Sequence, residues 1–252
     1  MIGFYVGITI LGAVVGSFAN VVALRLNTGR PILAGRSSCG SCTTQLRWFE
    51  LLPILSYVIQ AGKCRSCGSR IAIRYVLVEI LFALCFLAAA LAFGSTPLLV
   101  VVLFGLSILG SIVLYDIAHT IIPDLLVVLF GIVSVISFLL QWQLGISPLY
   151  PTLLAALTMS AFFALLWLVS KGRWIGLGDA KLVLALALFV GFPEAVHGFV
   201  LAFWIGAVVS LVLLVLSQKH RTISHEVPFG PYLALGFICA FIFDIHVVPL
   251  IG

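Results

Sequence analysis

The sequence predicts an all-α integral membrane protein with eight transmembrane helices and one polar insert between the first and the second. Three observations carry this. The 252 residues are 63% hydrophobic and only 8% charged, against roughly 25% charged in soluble domains, and mean hydropathy is +1.31. The apolar runs are about 20 residues long, the length a helix needs to cross ~30 Å of hydrocarbon. The polar residues gather in residues 25–74 and in a few short loops.

The first span is 3–24. No basic stretch precedes it and it is long for a signal segment, so a retained helix is expected. Its end, Gly16-Ser17-Phe18-Ala19-Asn20, is polar for a span. Small residues there suit close helix packing, and Asn20 is a second candidate for a site. Residues 25–74 form the insert and hold eight of the thirteen Lys and Arg residues. Inside it, 48–61 is apolar but too short to span and is broken by Pro53.

The remaining spans are expected at 75–94, 97–116, 124–142, 152–170, 179–192, 195–217 and 232–251. Pro97, Pro123 and Pro193 mark breaks, because proline removes a donor and disfavours helix just before it. This gives three segments: 1–24, a first helix; 25–74, the insert; and 75–252, a seven-helix domain. Eight crossings put both termini on one side. All thirteen Lys and Arg residues then fall on the other side or in the first turn of a helix leaving it. The positive-inside rule makes that side the cytoplasm. The formal charge of +5 therefore reads as membrane orientation, and nucleic acid is not an expected partner.

Two carboxylates stand out. Asp116 ends an inward span and Asp179, in Gly176-Leu177-Gly178-Asp179, begins an outward one. Both fall at the cytoplasmic boundary, where an acidic side chain is costly and needs a reason. Paired carboxylates repel if both ionise, so one proton can be shared, with one group acting as base on water and the other as acid. The plainer alternative is helix capping. It suits Asp124 after Pro123, and it suits Asp116 poorly, since an anion is disfavoured at a helix C-terminus. Gly176 and Gly178 let another backbone come close to Asp179.

Cys39-x-x-Cys42 and Cys64-x-x-Cys67 have metal-ligand spacing. Four thiolates in a reducing compartment make a closed, structural zinc site. Cys85 and Cys239 lie in apolar runs and read as small buried hydrophobes. Glu79 sits a turn inside a span, where a partner such as Arg74 or a ligand would explain it. His119 is placed to tune Asp116 or to be solvated. Glu194, His197, Asp244 and His246 read as interfacial residues on the outer side.

Taken together, these motifs resemble the prepilin leader peptidases, membrane aspartyl proteases of the GxGD type. The matching residues are Asp116 with Ile122-Pro123-Asp124, then Gly176-Leu177-Gly178-Asp179. In the insert they are Cys39-x-x-Cys42, Leu46-x-Trp48-x-Glu50-Leu51-x-Pro53, Gly62-Lys63-Cys64-x-x-Cys67 and Arg74-Tyr75-x-Leu77-Val78-Glu79. Gly16-Ser17-Phe18-x-Asn20-Val21 and Pro228-Phe229-Gly230-Pro231 match as well. Two positions depart: Gly40 stands where a proline is usual and Ala19 where a leucine is usual. The resemblance implies catalytic Asp116 and Asp179, supported by Gly176, Gly178, Pro123 and Asp124. It implies zinc on Cys39, Cys42, Cys64 and Cys67. It further implies cleavage of prepilins or type II secretion pseudopilins after a glycine on the cytoplasmic face of the bacterial inner membrane. N-methylation of the new terminus with S-adenosylmethionine is also implied, with Glu79 a candidate for the cofactor site. The competing reading is a transporter or channel with working boundary carboxylates. Its marks would be mid-bilayer charges and inverted repeats with broken helices, and the sequence has neither.

Overall fold

The computed structural model of the chain describes residues 1–29, 31–32, 34–217 and 228–247. It forms nine α-helices among these residues: α1 Ile2–Arg25, α2 Leu55–Ile59, α3 Arg74–Phe93, α4 Pro97–His119, α5 Asp124–Gln143, α6 Leu149–Ser170, α7 Leu177–Val190, α8 Glu194–Ser217 and α9 Gly230–Phe243. Except for the one-turn α2, each matches an expected span. Six of them, α1, α3, α4, α5, α6 and α8, are long and apolar enough to cross a membrane. The other two, α7 and α9, have 14 residues each, about 21 Å of helix at 1.5 Å per residue. Eight full crossings are thus more than helix length alone supports. The expected end of the eighth span at 248–251, and the loop with Lys219, Arg221 and Glu226, lie outside the described residues.

The chain divides into two compact units, Met1–Ser95 and Thr96–Gly252. The first groups α1, the insert and α3, so α3 belongs by packing with α1. Within it, α1 and α3 pack through glycines. A Cβ at Gly12 would stand 2.7 Å from Phe82 O, and one at Gly16 would stand 3.0 Å from Glu79 Cα. Asn20 Nδ2 donates to Gly16 O (3.2 Å) and to Tyr75 O (3.4 Å), tying α1 to α3. Small-residue packing therefore accounts for this polar stretch.

In the second unit α7 is the central helix, packed against α5, α6, α8 and α9. Leu182, Val183, Leu186, Ala187, Phe189 and Val190 are buried. Its C-terminus ends inside the unit, where orphan carbonyls need partners. Ser137 Oγ and Gln141 Nε2 donate to Phe189 O at 2.8 and 2.9 Å. Just beyond, Phe192 N–H donates to Ser147 Oγ at 3.0 Å. These buried side chains let a helix shorter than the bilayer end without stranded backbone groups.

Candidate active site and metal centre

Asp116 lies one turn before the end of α4. Thr120, left-handed at φ 53°, closes that helix with its N–H on Asp116 O at 2.7 Å. Asp179 lies in the first turn of α7, where the helix dipole favours an anion. Its carboxylate is also approached by the backbone N–H groups of Gly176 and of Asp179 itself. Both aspartates are buried, 3% and 8% exposed, and Asp116 acts electrostatically on Asp179. Asp116 Oδ2 is buried with no hydrogen-bond partner among the described residues.

Three further residues close around the pair. A Cβ on Gly178 would stand 3.0 Å from Ile122 Cβ. A Cβ on Gly230, at the start of α9, would stand 2.5 Å from Asp116 Oδ2 and 3.6 Å from Ile122 Cδ1. The ends of α4, α7 and α9 and the linker 120–123 thus converge on one point. Gly230 was legible only as part of Pro228-Phe229-Gly230-Pro231; nothing in its residue type placed it beside Asp116.

Asp124 is not a helix cap. Pro123 occupies the cap position of α5 and no side-chain cap bond forms there. Asp124 instead takes Lys181 Nζ at 2.7 Å, with side chains 74% and 45% exposed. It therefore stands apart from the buried pair as a surface ion pair, worth at most about 1 kcal/mol. His119 stacks on Tyr115, with ring centroids 4.2 Å apart, and its Nδ1 lies 3.2 Å from Tyr115 O.

The pairing of Glu79 with Arg74 is not found. Glu79 is buried, and its Oε2 accepts the Ile54 N–H at 2.7 Å. Arg74 lies over the Tyr75 ring at 5.1 Å. His197 is also not interfacial in the simple sense: it is 2% exposed and bonded to His246 and to the Val247 N–H.

The insert folds as two knuckles of the same design. Cys39 N–H bonds Thr44 O and Thr43 N–H bonds Cys39 O, both at 3.0 Å; Cys64 N–H bonds Ser69 O and Gly68 N–H bonds Cys64 O, both at 2.8 Å. Thr43 and Gly68 hold equivalent places, with φ 57° and 72°. The first knuckle thus puts a β-branched residue where the second has glycine. The four sulfur atoms all lie within 4.8 Å of one another, close enough to hold one metal ion. The backbone N–H groups of Cys42 and Ser41, with the Ser69 hydroxyl, hold the Cys39 thiol down to about 5, primed as a thiolate ligand. This donor set fits zinc.

Two cavities are candidates for S-adenosylmethionine. One cavity, of about 690 Å³, is lined by Tyr150, Leu154, Thr158, Met159 and Phe192; another, of about 190 Å³, by Thr9, Ala13, Ile54 and Ala83. Neither has an acidic side chain for a cationic sulfonium. The Glu79 carboxylate is already engaged by the Ile54 N–H.

These features define a polytopic membrane protein with a buried carboxylate pair in its second unit and a four-cysteine metal centre in its first. Comparison with known proteins gives the family. Residues 10–93 match the bacterial peptidase A24 N-terminal domain and residues 103–211 match the type IV leader peptidase family. A prepilin leader peptidase/N-methyltransferase of Bacillus subtilis is 32% identical over 242 residues, covering 95% of this chain and 94% of that protein. A Myxococcus xanthus protein of the same name is 34% identical over 220 residues, with 86% of this chain and 65% of its own length covered. One from Pseudomonas putida is 28% identical over 251 residues, with 90% and 86% covered. The chain belongs to the type IV leader peptidase family. No solved structure matches.

Proposed function

We propose that this protein is a membrane aspartic endopeptidase. It removes the leader of type IV prepilins or type II secretion pseudopilins, after a glycine, at the cytoplasmic face of the inner membrane. The observation that supports this most is the Asp116–Asp179 pair: two buried carboxylates at opposite helix ends, with Asp116 acting electrostatically on Asp179 and one oxygen left without a partner among the described residues.

The pair shares one proton. The ionised carboxylate takes a proton from water as the water oxygen attacks the scissile carbonyl. The protonated carboxyl gives its proton to the carbonyl oxygen. Collapse of the tetrahedral species breaks the C–N bond, and the amine leaves with a proton returned through the pair. Low dielectric around the two groups strengthens each of these interactions. The charge pattern, thirteen Lys and Arg residues to none, supports eight crossings with both termini outside and the pair facing the cytoplasm. Zinc on Cys39, Cys42, Cys64 and Cys67 is structural, because a closed four-thiolate site leaves no open position for substrate.

The second activity we propose is N-methylation, carried over from the relatives' names, with S-adenosylmethionine as donor and the new terminus as acceptor by the family resemblance. Transfer of labelled methyl to a cleaved pilin tests it.

The decisive experiment is leader cleavage by Asp116→Asn and Asp179→Asn in purified, inserted protein. Each is expected to abolish cleavage. Retained cleavage in both sinks the reading.

A further inference from the structure

Gly230 is a buried glycine whose backbone does not need to be glycine. Its φ lies outside the left-handed region, unlike eight other glycines of the chain. What the site requires of it is the missing side chain. A Cβ there would lie 2.5 Å from Asp116 Oδ2, closer than real Cβ atoms pack, and 3.4 Å from Asp116 Cγ, an ordinary contact. Asp116 is short and 3% exposed, so its carboxyl has little room to retreat.

The backbone of Gly230 points at the same group. Its N–H faces the Asp116 carboxylate. At this end of α9, Pro231 has no N–H, and those of Tyr232 and Leu233 are taken by Phe229 O at 3.1 and 3.2 Å. Gly230 therefore supplies the donor that this helix start can give Asp116. Meanwhile Asp116 Oδ2 has no hydrogen-bond partner among the described residues. A buried oxygen left this way is costly unless something arrives to bond it. On the far side of Ile122, Gly178 repeats the pattern, its absent Cβ sparing a 3.0 Å contact with Ile122 Cβ.

We propose that Gly230 is a positioning residue for Asp116: its missing Cβ keeps room at Oδ2 for the reacting water and the scissile peptide, with its N–H facing the carboxylate. This inference rests on the peptidase reading above. It differs from a packing role because it concerns where one carboxylate oxygen sits, not whether α9 docks.

The test is steady-state cleavage of a prepilin by Gly230→Ala and by the double variant Gly230→Ala/Ile122→Ala, with zinc content and thermal transition measured on the same samples. Gly230→Ala is expected to lower kcat about 100-fold with KM nearly unchanged, the effect of a misplacement of about 1 Å. Trimming Ile122, whose Cδ1 lies 3.6 Å from the added Cβ, gives the displaced carboxyl room, and the double variant is expected to regain about tenfold of that loss. Cleavage by Gly230→Ala near the wild-type rate overturns the inference. So does a loss that the double variant does not recover, or a loss of the thermal transition in both variants, which assigns Gly230 to packing. Asp116→Asn and Asp179→Asn run alongside separate the two readings. If they still cleave, the peptidase reading fails. If they are dead while Gly230→Ala is active, only the role of Gly230 fails.

Discussion

Glu79 Oε2 accepts the backbone N–H of Ile54 at 2.7 Å. The bond spans 25 residues and ties the insert to α3. Ile54 is left-handed, at φ 62°, a conformation that β-branched residues rarely adopt. The strain is local and the anchor is a buried carboxylate, so the turn after Pro53 is fixed by a charge-assisted bond.

Glu79→Ala removes that acceptor and leaves the Ile54 N–H without it. A hydrogen bond to a charged group contributes about 1.5–3 kcal/mol, and a loss of that order in the stability of the first unit is expected. Glu79→Gln keeps an acceptor and should lose less. Tryptic cutting after the exposed Lys63 and Arg65 reports the change; equal cutting rates in wild type and Glu79→Ala would refute the tether.

The contrast between Glu79 and Asp116 shows what the sequence could and could not tell. Helix positions were legible, because runs of about 20 apolar residues and the prolines between them are one-dimensional signals. The cysteine cluster was legible from spacing alone. The partners of Glu79 and Asp124 were not, since a carboxylate in a sequence does not reveal whether an N–H or a cation reaches it. The lengths of α7 and α9 also escaped. Their ends are set by long-range bonds, such as Ser137 and Gln141 on Phe189 O, which leave no mark on hydropathy. Gly230 needed three dimensions, because its neighbour Asp116 is 114 residues away in sequence.

Removing the metal should loosen the insert without touching the pair. Cys64→Ser takes away the buried cysteine of the four and is expected to abolish stoichiometric zinc. Because ligands must be deprotonated, zinc retention should also weaken as pH falls. Metal analysis of the purified protein at several pH values checks both. Full zinc content in Cys64→Ser would remove the four-cysteine centre from consideration. Thr43→Gly is the converse change: it relieves a left-handed β-branched residue and should raise the stability of the first knuckle by about 1 kcal/mol.

Gly178 is expected to be intolerant for a reason separate from its helix. A Cβ there already reaches Ile122 Cβ at 3.0 Å, and valine adds two methyl groups in the same direction. Gly178→Val should shift the 120–123 linker beside Asp116 and lower cleavage about 100-fold or more. Zinc content should stay at the wild-type value, since the metal centre is in the other unit. Wild-type cleavage by Gly178→Val would mean that the linker yields freely.

At the other end of α9, hydrogen bonds dictate the protonation of two histidines. Val247 N–H donates to His197 Nδ1 at 3.1 Å, so the His197 proton is on Nε2. That N–H points to His246 Nδ1 at 3.2 Å, and His246 Nε2–H in turn reaches Asp244 Oδ1 at 3.2 Å. Every donor meets an acceptor only while both imidazoles are neutral. A proton added to His246 Nδ1 would face the His197 N–H and break the chain. It would strengthen the exposed contact to Asp244 and the attraction of Glu194 at the start of α8, but an exposed pair returns only about 0.2–1 kcal/mol. The clasp is therefore expected to hold while both imidazoles are neutral and to open once His246 takes a second proton. Amide exchange at Val247, corrected for intrinsic rates, should rise as pH falls, and His246→Phe should remove that dependence. Protection that stays constant as pH falls would show that the chain of bonds does not hold this segment.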